Sequence, residues 1–181
     1  MNPSPNLFLI GPSGAGKTSI GRRLAEHHAL PFIDLDSEIE SHTGVDIATI
    51  FDIEGEAGFR EREATLLDTL SREDGIVMAT GAGAILDACN RQRLAARGFV
   101  LWLDASIGQQ LERLSRDQQR PLLAGVDRRQ RFADMAAVRT PLYQATADLH
   151  FAGHSESVAR AFTRAVDALA GAWQRHASRI S

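Results

Sequence analysis

The sequence predicts an α/β domain in three layers, a five-stranded parallel β-sheet with helices on both faces. Three observations carry that reading. Five short apolar runs end in glycine or polar residues, stretches with helical spacing lie between them, and a glycine-rich loop follows the first run.

The runs are Asn6–Ile10, Pro31–Leu35, Gly75–Thr80, Phe99–Asp104 and Asp148–Phe151, each short enough for a strand buried in a parallel sheet. After the last run, Ser155 is placed to cap a helix on which Val158, Phe162, Val166 and Leu169 share one face. Sheets of this kind bind ligands beyond the carboxyl ends of their strands. The polar residues that follow each run are therefore the ones to inspect.

Bulk properties narrow the classes. The 181 residues form one expected domain, 1–181, with 44% hydrophobic and 24% charged residues. A net charge of −3 argues against nucleic-acid or anionic-membrane partners. The longest apolar run, Phe99–Leu103, falls far short of the ~20 residues that span a bilayer. The opening "MNPSPN" lacks the charged and apolar regions of a secretory signal. Cys89 is the only cysteine, so no internal disulfide framework exists, and it reads as packing. A cytoplasmic protein is expected.

The loop Gly11–Thr18, "GPSGAGKT", fits G-x-x-x-x-G-K-[ST]. Its glycines let successive N–H groups point at phosphate oxygens, and the following helix adds its positive N-terminal end. Gly14, Ala15, Gly16, Lys17, Thr18 and Ser19 are the candidate phosphate-binding residues, and the Thr18 hydroxyl is a candidate Mg²⁺ ligand. Lys17 is the one lysine beside nineteen arginines. An ammonium is a compact charge on a thin stem, whereas a forked guanidinium would not fit the same cradle. With no second lysine there is no N-K-x-D guanine reader, which favours a small-molecule kinase over a GTPase.

The second run ends "DLDSE". Asp34 and Asp36 are two apart, so on a strand both carboxylates would face one cleft, where Mg²⁺ and an acceptor hydroxyl each need oxygen partners.

With Gly44, Asp46, Ile47, Ile50, Phe51, Gly55, Glu56, Phe59 and Arg60, the stretch Thr43–Glu63 resembles the shikimate kinases. "ATGAGAIL" stands where that family has three glycines, "RLSRDQQRPLL" (Arg113–Leu123) resembles its lid, and "RTPLY" matches its R-x-P-x-Y. The resemblance runs from Asn6 to about Val166. It implies a P-loop, nucleoside-monophosphate-kinase-like core with a lid at about 114–126 and a substrate-binding helical segment at about 36–62.

It also implies a reaction, transfer of the ATP γ-phosphoryl group to the 3-hydroxyl of shikimate. By resemblance, Arg60 and Arg139 clamp the substrate carboxylate, a role suited to paired forks of parallel donors. Asp36 reads and orients the attacking hydroxyl, beside Gly81, Ala82 and Gly83. Asp34 assists Thr18 at Mg²⁺. Lys17 and Arg120 supply charge to the moving phosphoryl group. Arg113 lies near adenine, opposite the segment containing Ser155. Glu63, three residues after Arg60 on one helix, is expected to hold that arginine. A monomer is expected.

One departure stands out: the middle glycine of the run is Ala82. A left-handed backbone there would cost ~1–2 kcal/mol, and an extended one almost nothing. Two other readings stay open, another small-metabolite kinase such as gluconate kinase, and a nucleotide-binding regulatory module without catalysis.

Overall fold

The computed structural model describes residues 4–115 and 128–174. Arg120 and nearly all of the predicted lid at 114–126 lie outside the described residues. Each predicted run yields a strand: β1 (Leu7–Ile10), β2 (Phe32–Asp34), β3 (Val77–Ala79), β4 (Phe99–Leu103) and β5 (Leu149–Phe151). They form one parallel sheet in the order β2-β3-β1-β4-β5. Around it run α1 (Lys17–His27), α2 (Leu35–Thr43), α3 (Ile47–Leu70), α4 (Ala88–Arg97), α5 (Ile107–Leu114), α6 (Arg128–Thr146) and α7 (Val158–Ala172).

The two-residue period of a strand divides the core. Leu7 and Leu9 pack with Ile20 and Leu24 of α1 and with Ala165 and Leu169 of α7. Phe8 and Ile10 point the other way, toward Ile39, Phe59, Leu67, Leu94 and Tyr143. Each large apolar side chain removed from water contributes roughly 1.5–3 kcal/mol, so the sheet is held from both sides. β1 lies between β3 and β4, and the crevice where the strand order reverses opens beyond its carboxyl end. The phosphate loop sits there.

Edge position changes the outer strands. β1, β3 and β4 are buried throughout, whereas β2 and β5 are half-exposed because each has one neighbour. His150 of β5 faces outward, its ring stacked 4.0 Å from that of Trp102 and its Nε2 3.2 Å from an oxygen of Asp104.

Three expectations need correction. β2 stops at Asp34, whose side chain caps α2 by accepting from the Ser37 N–H. Asp36 therefore stands in the first turn of a helix, and the strand argument for the two aspartates fails. The cap of α7 is Ser157, which accepts from the Arg160 N–H; Ser155 lies in the preceding loop and Val158 is exposed. Cys89 is exposed on α4 rather than packed. The segment at 36–62 is helical, made of α2 and the first part of α3, which continues to Leu70.

That second helix is broken. Gly55 has φ 71° and ψ −176°, a conformation essentially reserved for glycine. Across the break, Arg62 donates to both carboxylate oxygens of Glu54, at 2.8 and 2.6 Å. Beyond it, Phe59, Glu63 and Leu67 form the buried stripe. Gly55→Ala is expected to lose ~1–3 kcal/mol of stability through backbone strain, as read by urea denaturation. An unchanged midpoint would show that the break does not depend on glycine.

Candidate active site

Three clusters line the crevice. In the phosphate loop, Gly14 and Gly16 have φ of +77° and +90°, and Gly16 caps α1 in the left-handed conformation. Lys17 opens that helix, and its Nζ donates to the carbonyls of Gly11 (2.7 Å) and Pro12 (3.0 Å). The ammonium is thus folded back over the loop. Ala15 turns its methyl into the core, so it offers only backbone to a ligand. Ser19 is exposed on the first turn of α1. Thr18 Oγ1 donates to Asp34 Oδ2 at 2.6 Å, joining the loop to the end of β2. The aspartate was identified from the wrong geometry, yet it stands beside the predicted hydroxyl.

The second cluster surrounds Glu63. Its side chain is buried, and Arg60 Nη1 donates to its Oε2 at 2.6 Å. A second Arg60 bond, to Glu56, is longer at 3.3 Å and exposed. Arg139, from α6, acts electrostatically on Glu63 together with Arg60, and the same two arginines act on Tyr143. Helices α3 and α6 thus bring Arg60 and Arg139 within electrostatic reach of the same two groups. Burial raises the affinity of Glu63 for its proton; Arg60 and Arg139 oppose that shift and the carboxylate of Asp36 adds to it.

The loop after β3 supplies bare backbone to this cluster. A Cβ at Gly81 would lie 2.6 Å from Glu63 Oε1 and 2.9 Å from Asp36 Oδ1. One at Gly83 would overlap the Arg60 guanidinium. Between them, Ala82 is unstrained, because Ala29 is the only non-glycine residue with positive φ among the described residues. The methyl at Ala82 therefore carries no backbone penalty. The Ala82 carbonyl accepts from Tyr143 Oη at 2.7 Å.

Tyr143 closes the R-x-P-x-Y stretch, and that pattern alone assigns it no role. Its place four residues after Arg139, on one helix face, is the signal that could have marked it. Glu63 was assigned from its spacing to Arg60. A sharper signal is a charged residue on a stripe that otherwise holds Phe59 and Leu67.

The third cluster lies between α5 and the loop before α7. A cavity of about 650 Å³ is lined by Gln109, Glu112, Arg113, Ser155, Glu156, Ser157 and Arg160. Arg113 donates to the carbonyls of Gly14 (2.8 Å) and His154 (3.4 Å), so it ties the phosphate loop to the Ser155 loop. Arg113 and Ser155 thus share one cavity.

The sequence pattern of the family described as "Shikimate kinase" matches residues 13–170. A shikimate kinase of Xanthomonas campestris pv. campestris is 51% identical over 174 residues, covering 96% of this chain and 97% of that one. The chain belongs to the shikimate kinase family. Another shikimate kinase, from Stenotrophomonas maltophilia, is 50% identical over 175 residues, 97% of each chain. The structure of a shikimate kinase from Acinetobacter baumannii in complex with shikimate superposes with a TM-score of 0.89 at 40% identity, over 93% of this chain and 94% of that one. Shikimate kinases thus match this chain both in sequence and in the fold that carries the three clusters.

Two outcomes follow from the Glu63 cluster. Burial makes the folded state hold the Glu63 proton more tightly than the unfolded chain does. Its contribution to stability is complete below the unfolded value of 4.5 and falls as pH rises through the higher folded value. The stability of the wild type minus that of Glu63→Gln is therefore expected to decline as pH rises above 4.5, in urea titrations across that range. A flat or rising difference would contradict the shift. Ala82→Gly is expected to leave shikimate kcat/KM within about twofold, since there is no strain to relieve at that position. A large gain would mean the methyl itself obstructs the acceptor.

Proposed function

We propose that this chain transfers the γ-phosphoryl group of ATP to the 3-hydroxyl of shikimate, with the three clusters as phosphoryl, acceptor and adenine sites. The observation that carries the reading is that Arg60 and Arg139, from two different helices, both act electrostatically on Glu63 and Tyr143 in the crevice that also holds the phosphate loop. Two guanidiniums within reach of one place suit a carboxylate, which accepts paired parallel hydrogen bonds. Glu63 holds the Arg60 fork through one of its nitrogens and leaves the Nη2 edge toward the more exposed side.

Asp36, beside Gly81 and within electrostatic reach of Glu63, orients the acceptor hydroxyl and takes its proton. The acceptor oxygen forms a bond to the γ-phosphorus as the bond to the bridging oxygen breaks, and ADP leaves. Lys17 donates to the phosphate oxygens from the loop, and positioning with charge stabilisation accounts for catalysis of this kind. Arg120, outside the described residues, is assigned to the same group by resemblance alone.

Thr18 and Asp34 offer the hard oxygen ligands Mg²⁺ takes, a hydroxyl and a carboxylate already 2.6 Å apart. When bound beside the nucleotide phosphates, Mg²⁺ would neutralise charge on them. Arg113 and Ser155 border the cavity assigned to the adenosine end. Under this reading the protein works as a monomer in the cytoplasm; among the described residues no helix is long and apolar enough to cross a membrane.

A coupled ADP-release assay with shikimate, with gluconate and with no acceptor separates this reading from its rivals. Release only with shikimate is expected, and release with gluconate alone would reject the acceptor assignment. Arg60→Ala is expected to weaken shikimate binding by at least ~1.5–3 kcal/mol, more than tenfold, while the KM for ATP stays unchanged. Unaltered shikimate affinity would refute the clamp.

A further inference from the structure

We infer that Tyr143 is a positioning residue for the acceptor: its hydroxyl ties helix α6, which carries Arg139 one turn earlier, to the Ala82 carbonyl, fixing both walls of the acceptor site at once. The hydroxyl donates to the Ala82 carbonyl at 2.7 Å, and Arg139, four residues earlier on the same helix, acts electrostatically on it. Ala82 and Arg139 come from different elements, the loop after β3 and helix α6. The residue itself is 2% exposed. A buried phenol needs a hydrogen-bond partner, but any nearby carbonyl would serve. Here the carbonyl it holds and the arginine beside it both belong to the residues assigned to the acceptor.

The ring is held as well as the oxygen. Trp102 of β4 stacks against it with centroids 5.9 Å apart and planes 25° apart. The sheet therefore sets the plane of the ring, the ring sets the hydroxyl, and the hydroxyl sets the spacing between the loop after β3 and the helix that carries Arg139. Groups already held at the spacing a ligand needs lose less freedom on binding it. The hydroxyl thus acts on acceptor binding, through the spacing of Ala82 and Arg139, and leaves the nucleotide loop and the transfer step alone.

This inference rests on the shikimate reading above. Tyr143→Phe keeps the ring and its stack on Trp102 and removes one oxygen. The test measures shikimate affinity by calorimetry and both KM values and kcat by coupled ADP release, with circular dichroism confirming an unchanged fold. Shikimate Kd and KM are expected to rise about fivefold, the usual effect of losing a buried hydrogen bond. The KM for ATP and kcat should stay within about twofold, the signature of lost uniform binding. Arg139→Ala should cost less in the Tyr143→Phe background than in the wild type, because the two groups act together.

Unchanged shikimate affinity in Tyr143→Phe would overturn the inference. So would a parallel rise in the KM for ATP, which would mark a general structural loss, or strictly additive effects with Arg139→Ala. The wild-type control separates the two levels. A wild type that ignores shikimate overturns the acceptor reading together with this inference, whereas a shikimate-binding wild type with an unaffected variant overturns only the role of Tyr143.

Discussion

Glu63 keeps a carboxylate buried against Arg60, within reach of Asp36 and Arg139, with the backbone of Gly81 pressed against its free oxygen. That arrangement governs the acceptor half of the crevice. A buried carboxylate is costly unless paired, and removing its partner leaves an uncompensated charge, so the Arg60–Glu63 pair is held strongly once formed. The pair directs the Arg60 fork across Gly83, where only a residue without a side chain leaves room. The glycines of this loop are thus imposed by the ion pair beneath them. Ala82, whose backbone stays outside the left-handed region, is the position where a methyl can stand.

The nucleotide half obeys another logic. In the phosphate loop itself, positive charge comes from one ammonium and from backbone N–H groups at the start of α1, fixed by a glycine cap. Arg113 spans from Gly14 to His154, so the loop that holds phosphate is linked to the loop that borders the large cavity. Thr18 and Asp34 link the same loop to the end of β2. Strand ends of one sheet thereby register the three clusters against one another, and the packing of β1, β3 and β4 sets their spacing.

Most of this was legible in the sequence where chemistry and local pattern coincide. The phosphate loop is contiguous, and its residues fall where the motif puts them. Arg60 and Glu63 are three apart on one helix, so their contact follows from helical geometry alone. Asp34 was harder: the run Pro31–Leu35 looks like five strand residues, but the aspartate satisfies the N–H of Ser37 and ends the strand early. A capping side chain outcompeted strand continuation. The same competition misplaced the α7 cap, since Ser155 and Ser157 are equally good by composition. Tyr143 could not be read from local pattern, because its partners, Ala82 and Trp102, are 61 and 41 positions away and meet it only once the sheet has formed.

A single ε-amine in the whole chain has a chemical consequence. In most proteins an acylating reagent scatters over many lysines, and the average outcome says little about any one site. Here, apart from the α-amino group, there is one nucleophilic nitrogen of that type, pinned to the carbonyls of Gly11 and Pro12. Covalent labelling of this protein by amine chemistry is therefore a report on one loop, and its rate reflects how often that nitrogen leaves its carbonyl partners.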